Sequence, residues 1–256
     1  MTLVSNGVLL QRYDETPGDL RLGRHLELDA HSLAYTVEEL EAKVPIKPQE
    51  WMSGLKTLDQ ARLGSCTGNA GTYHLAQLYG ADLSAIKLNG LSLTNYDAVA
   101  DEKFAVELYS EATTLDGFPG TYPPDDNGSS GLGICRALKA KGLVKGYQWA
   151  VTLQGLATML QKRGCIIGTP WYHAWFQPDV QGFVDSGNWK ASGIAGGHEI
   201  YIEALEAWND AQPTLSVIRF RNSWGEGWGD KGAGRMRLAT YAALKQQIDV
   251  KQYVGL

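Results

Sequence analysis

The sequence predicts an α+β protein in which helices come first and strands come later. Two observations carry that expectation. From about residue 65 to residue 163, apolar residues recur at helical intervals around one proline- and glycine-rich break. From Cys165 onward, short runs of β-favouring residues alternate with turn signals such as Asn209-Asp210. A chain of 256 residues is long enough to bury one large core or two packed lobes.

Residues 1–50 stand apart. They are polar and charged, as in Gln11-Arg12-Tyr13-Asp14-Glu15, and they end in the proline-bearing Val44-Pro45-Ile46-Lys47-Pro48. That composition reads as an extended arm with one short helical pattern near Val37–Lys43. The first long helix is expected over Cys66–Tyr79, which lacks proline and has Ser65 placed to cap its first turn. A second helical run spans about Asp101–Leu115, followed by a turn-rich loop, Asp116–Gly131, with Pro119, Pro123 and Pro124. Helical pattern resumes over Leu132–Lys141 and Leu153–Arg163. Strands are expected at Cys165–Trp171, His198–Trp208, Leu215–Asn222 and Ala233–Leu238. There is no internal repeat and no low-complexity tract.

Bulk properties exclude several function classes. A net charge of −5 and the lack of any Lys/Arg run argue against nucleic acid as a partner. No stretch approaches the roughly 18 apolar residues of a membrane span. The amino terminus, Met1-Thr2-Leu3-Val4-Ser5, has no basic start or long apolar stretch, so no secretory signal is expected. Three cysteines cannot all pair within the chain. Cys135 and Cys165 fall in apolar runs and read as small buried hydrophobes. A reduced protein of the cytoplasm, or of a virion assembled there, fits this pattern.

The chemistry is concentrated in two stretches. One is Gln60-Ala61-Arg62-Leu63-Gly64-Ser65-Cys66-Thr67-Gly68-Asn69-Ala70. The other is Gly196-Gly197-His198, with Arg221-Asn222-Ser223-Trp224-Gly225 and Trp228-Gly229 following. Cys66 stands where a helix begins, and backbone N–H groups there favour a thiolate over a thiol. A protonated His198 beside it would lower the thiol pKa further and give a Cys⁻/His⁺ pair ready to attack. His198 follows two glycines that leave room on one side and opens an apolar strand. Asn222 would hold the imidazole in its productive orientation, and Trp224 could shield that hydrogen bond from water. Among the five histidines, His25, His31 and His74 read as structural or surface groups. His173, in Trp171-Tyr172-His173-Ala174-Trp175-Phe176, is either a pocket wall or a bystander.

At these residues the chain resembles the papain-like cysteine peptidases, over roughly Trp51–Leu256. His198 lies 132 residues after Cys66 and Asn222 lies 156 after it, close to the family's spacing. The resemblance implies a two-lobed fold: a helical lobe over about 51–148, a β-rich, barrel-like lobe over about 149–256, and the cleft between them. It implies that Gln60 offers a side-chain N–H to the oxyanion, alongside the Cys66 backbone N–H. It implies that Gly128 and Ser129, in Asp126-Asn127-Gly128-Ser129-Ser130-Gly131, pair with an extended protein or peptide substrate. It implies no metal and no organic cofactor. The expected activity is peptide-bond hydrolysis through a thioester. A peptidoglycan-cleaving cysteine peptidase and a virion or peptide-binding protein without turnover are the alternatives.

Three departures separate the chain from the common pattern. Leu63 stands where the family usually has a cysteine, so the common disulfide is absent. Thr67 replaces the usual aromatic, and residues 1–50 are too short to be the long helical prosegment. The chain looks closer to divergent bacterial and phage members. Gly64-Ser65-Cys66-Thr67-Gly68 also fits a nucleophile elbow, but that motif needs a buried strand before it, and Lys56–Arg62 is polar.

Overall fold

The computed structural model describes residues 2–5, 8–11, 19–29 and 44–255. The helical pattern at Val37–Lys43 and His31 lie outside the described residues. Five helices are described: α1 Cys66–Tyr79, α2 Ala98–Thr113, α3 Gly131–Ala140, α4 Leu153–Met159 and α5 Leu238–Leu244. The strands are β1 Thr2–Ser5, β2 Val8–Gln11, β3 Arg24–Asp29, β4 Gln49–Glu50, β5 Lys87–Leu88, β6 Leu91–Ser92 and β7 Ser129–Ser130. They continue as β8 Gly146–Ala150, β9 Cys165–Tyr172, β10 Ile194–Ala207, β11 Val217–Arg221, β12 Ala233–Arg237 and β13 Asp249–Val254.

Helix α1 matches its predicted span and is buried on every side from Cys66 to Ala76. Its small residues explain why: α2, α3 and the long strand β10 all pack against it. Ser65 does not cap it. The hydroxyl turns to Asn69 Oδ1 at 2.9 Å, so the first-turn N–H groups get no help from that side chain. Helix α2 starts three residues earlier than predicted, because the Asp97 carboxylate accepts from the N–H groups of Val99 (2.9 Å) and Ala100 (3.3 Å). Helix α4 stops four residues early. There the Gln252 side chain donates to the carbonyls of Met159 (2.8 Å) and Arg163 (2.9 Å), outside the helical ladder.

The main sheet has seven strands in the order β12-β11-β10-β9-β13-β8, with β4 pairing β10. The predicted barrel-like lobe is corrected in one respect: the sheet curls but does not close. Bulges between Ile202 and Ala204, and between Leu205 and Ala207, bend the 14-residue β10 without bringing the edge strands together. One core lies on this sheet, around Trp171, Trp175, Ile200, Ile218 and Phe220. A second surrounds α1–α3, around Tyr73, Phe104, Leu108 and Ile134, and the sheet residues Ile166, Tyr201 and Tyr253 reach into it. Cys135 and Cys165 are fully buried, as their apolar surroundings predicted. Among the described residues, no helix is long and apolar enough to cross a membrane.

Because Asp97 is the main side-chain cap of α2, Asp97→Ala should lower unfolding stability by about 1 kcal/mol, read by urea denaturation. An unchanged midpoint would show that the cap contributes nothing.

Candidate active site

The fold brings the two predicted stretches together. Cys66 starts α1, and the backbone N–H groups of Glu199 and Gly23 face its sulfur. Glu199 directly follows His198 on β10, so the sulfur lies against the backbone of the residue next to the imidazole, where α1 packs on that strand. His198 Nε2 donates to Asn222 Oδ1 at 2.7 Å, and the Ser223 N–H donates to the same oxygen at 2.8 Å. This places the neutral ring's proton on Nε2 and leaves Nδ1 buried, with the Arg21 backbone beside the ring. Trp224 lies over the ring at 4.7 Å and Trp171 meets it edge-on at 4.8 Å, so water is kept from the Asn222 bond.

The two walls are stitched together. Gln60 N–H donates to the Ser223 carbonyl (2.9 Å), Gly225 N–H to the Leu58 carbonyl (3.0 Å), and Ser223 Oγ to Gln60 Oε1 (2.7 Å). With its Oε1 engaged, the Gln60 amide can present only its Nε2 to the cleft. That nitrogen donates to the Leu63 carbonyl (2.6 Å) and to the Arg21 carbonyl (3.1 Å).

Arg21 belongs to the arm, and its position was not predicted. Residues 19–29 thread the cleft. Gly23 bridges Gly197 in a parallel sense, Leu22 packs against Gly196, and the Ser129 N–H donates to the Gly23 carbonyl at 2.8 Å. Beyond Gly23, β3 pairs with β7 in parallel, Arg24 opposite Ser129 and His25 opposite Ser130. Gly128 and Ser129 therefore sit against an extended peptide, the chain's own. Only glycine fits at residue 23: a Cβ there would lie 2.2 Å from the Gly64 carbonyl oxygen. The Arg21 guanidinium covers the Trp224 ring at 4.3 Å.

Burial under the arm sets the protonation states. It pushes the Cys66 thiol up to about 12, against a partial pull downward from the Glu199 and Gly23 N–H groups. It pushes His198 down to about 4, although the Asn222 bond acts the other way. The expected Cys⁻/His⁺ pair is therefore not the charge state of the arm-covered site. Both shifts favour the neutral pair, because burial removes the water that would solvate two charges.

The other described histidines, His25, His74 and His173, fall outside the pair. His74 is buried and stacks on Tyr253 at 4.1 Å. His25 is buried in the arm, with Nε2 at 2.5 Å from the Asn127 carbonyl. His173 is exposed in a short 3-10 turn. Sequence reasoning missed the arm residues Arg21–Arg24 and three buried charges beside the cleft, Glu199, Asp249 and Lys251. Glu199 had left a trace: an acid between His198 and the apolar Ile200-Tyr201-Ile202.

No family model matches the chain, and no curated protein does. Solved structures do. Xylellain, a cysteine protease from Xylella fastidiosa, is similar over 100% of both chains, with a TM-score of 0.59 and 14% identity. Digestive procathepsin L3 from the larval midgut of Tenebrio molitor matches 92% of this chain and 76% of its own, with a TM-score of 0.55 and 14% identity. A recombinant stem bromelain precursor matches 95% and 78%, with a TM-score of 0.50 and 11% identity. The chain has the papain-like fold.

Two outcomes follow from the arm's position. Gly23→Ala should unseat the arm and raise iodoacetamide labelling of Cys66 by about tenfold or more, with Cys135 and Cys165 as buried internal controls in peptide mapping. An unchanged rate would mean that the arm does not guard the thiol. The second concerns pH. A folded-state pKa depressed from 6.5 to about 4 means that His198 favours the folded chain over the unfolded one fully above pH 6.5 and less as pH falls toward 4. The thiol, raised from 9.0 to about 12, withdraws its support only as pH rises through that upper range. The urea-unfolding midpoint should fall between pH 7 and pH 4.5 by more in the unaltered chain than in His198→Asn; equal falls in the two would contradict the assignment.

Proposed function

We propose that the chain is a cysteine peptidase whose body, residues 51–256, is held closed by the arm, residues 1–50. The body would comprise a helical lobe over about 51–148 and a β-rich lobe over about 149–256. The observation that carries this reading is the meeting at one cleft of a helix-start thiol, an imidazole oriented by an amide, and a second amide whose Nε2 already binds a peptide carbonyl.

With the arm displaced, water and a substrate carbonyl reach the pair. The Cys66 thiol passes its proton to His198 Nδ1, the nitrogen not engaged by Asn222, and the thiolate attacks the carbonyl carbon. The oxyanion accepts from Gln60 Nε2 and the Cys66 N–H, the first of which now holds the Arg21 carbonyl. The imidazolium protonates the departing amine, leaving a thioester. His198 then takes a proton from water as that water attacks, and collapse of the second intermediate restores the thiol and releases an acid. Asn222 keeps the ring turned throughout, and Trp224 keeps its hydrogen bond dry.

Extended peptides are the substrate class, because the cleft already holds one by backbone pairing at Ser129 and Gly197. Strand β10 of the seven-stranded sheet lines this groove with Gly197 and His198, and the rest of the sheet and the two cores hold its walls.

Casein and peptide-library turnover by the Gly23→Ala chain tests the proposal. Cys66→Ala in that background should abolish hydrolysis without changing the circular dichroism spectrum. Gln60→Ala should lower kcat by about 10²–10³-fold, the usual effect of losing one oxyanion donor. Asn222→Ala should lower activity without abolishing it. Hydrolysis retained by Cys66→Ala would refute the mechanism.

A further inference from the structure

Two backbone segments of the body border the arm at Gly23. A Cβ at residue 23 would lie 2.2 Å from the Gly64 carbonyl oxygen, and one at residue 128 would lie 2.0 Å from the Gly23 carbonyl oxygen. Gly64 comes two residues before Cys66. Gly128 precedes Ser129, whose N–H donates to the Gly23 carbonyl. One pair of side chains spans these segments. The Gly64 N–H donates to both Asp126 carboxylate oxygens at 3.1 Å, and the Tyr109 hydroxyl donates to Asp126 Oδ1 at 2.8 Å. The same hydroxyl accepts from the Gly128 N–H at 3.0 Å.

We propose, resting on the peptidase reading, that Asp126 and Tyr109 are positioning residues: they clamp Gly64 to Gly128 and so keep the emptied groove at the width an extended peptide needs.

The need for a clamp arises when the arm leaves. Among the described residues, β7 has one strand partner, β3 of the arm. Ser130 Oγ donates to Glu27 and the Asn127 carbonyl faces His25, both also of the arm. Displacement of the arm removes all of these at once. Gly128 then keeps its bond to Tyr109, and the Ser129 hydroxyl keeps its bond to Asp116 at 2.6 Å. The Asp116 bond stays within the loop, whereas Asp126 reaches across to the segment that presents the sulfur. No disulfide joins the two segments, since Cys66, Cys135 and Cys165 are free.

The packing of α2 on α1 places the tyrosine. Tyr109 is fully buried, and a Cβ at residue 68 would lie 2.9 Å from its own Cβ, so glycine there lets the helices close. Burial, and then the Asp126 charge, raise the Tyr109 pKa, so the hydroxyl keeps its proton and remains a donor. A phenol gives one O–H and accepts on the same oxygen, which is what a link between a carboxylate and an N–H requires.

The test uses the full chain carrying Gly23→Ala, with residues 19–25 of the arm supplied as a separate acetylated peptide amide. Protection of Cys66 from iodoacetamide reports peptide binding, and the labelling rate without peptide reports the thiol alone. Adding Tyr109→Phe should raise the half-protecting concentration about tenfold, a far larger change than in the labelling rate without peptide. Asp126→Ala should act alike, and Asp126→Asn, which keeps one acceptor oxygen, should act more weakly. An unchanged half-protecting concentration, or a shift no greater than that in the labelling rate, overturns the clamp. If Asp126→Ala does not fold, Tyr109→Phe, which removes one oxygen and no carbon, decides alone. Casein hydrolysis is followed in parallel and separates the two claims. Hydrolysis with equal KM in the Gly23→Ala parent and in Tyr109→Phe overturns the clamp and keeps the peptidase. Weakened protection, with no hydrolysis even by the parent, keeps the clamp as a peptide-binding device and refutes the peptidase.

Discussion

The seam between Leu58–Gln60 and Ser223–Gly225 is the contact on which the site depends. It joins the loop that leads into α1 with the loop that carries Asn222 and Trp224, through three hydrogen bonds of 2.7–3.0 Å. Tyr73, from inside α1, reinforces it: its hydroxyl accepts from the Leu58 N–H at 2.5 Å and lies 3.4 Å from the Asn222 carbonyl. The helix that presents the sulfur is thereby bound to the residue that orients the imidazole. Such a linkage sets the groove width from both walls at once, which pre-organises the pair before any substrate arrives.

Across that groove the arm acts as a peptide and as a plug. Its backbone is held at two points: the Gln60 amide donates to the Arg21 carbonyl and the Ser129 N–H donates to the Gly23 carbonyl. Burial of the two groups raises the thiol pKa and lowers the imidazole pKa, which favours the neutral thiol and the neutral imidazole. Covering and deactivating are one event, because the low dielectric that comes with exclusion of water removes the reason for either group to be charged.

Much of this was legible in the sequence, and the remainder failed for identifiable reasons. Cys66–Tyr79 was read at its full span because a proline-free run of small and apolar residues has few other ways to fold. Gln60, His198 and Asn222 were found through short motifs whose residue types are tied to one chemistry. Strand β13, Asp-Val-Lys-Gln-Tyr-Val, was missed because it is buried on both faces and carries charges on one of them. Asp249 and Lys251 look like surface residues until Arg24 and Glu199 are beside them. The arm misled for the same reason: it reads as polar, charged and extended, yet Arg24, His25 and Glu27 are each buried against a polar partner supplied by the body. Ser65 had the residue type of a helix cap but found a better acceptor in Asn69. Long-range polar pairing is the information a single sequence does not carry.

The central claim is that Cys66 is a thiolate once the arm leaves and a thiol while it stays. Ultraviolet thiolate absorbance at neutral pH, taken as the difference between each protein and its Cys66→Ser counterpart, measures that state directly. The account predicts a thiolate signal from the Gly23→Ala chain and none from the unaltered chain. No signal from either, in a Gly23→Ala protein whose Cys66 is demonstrably exposed, would contradict it.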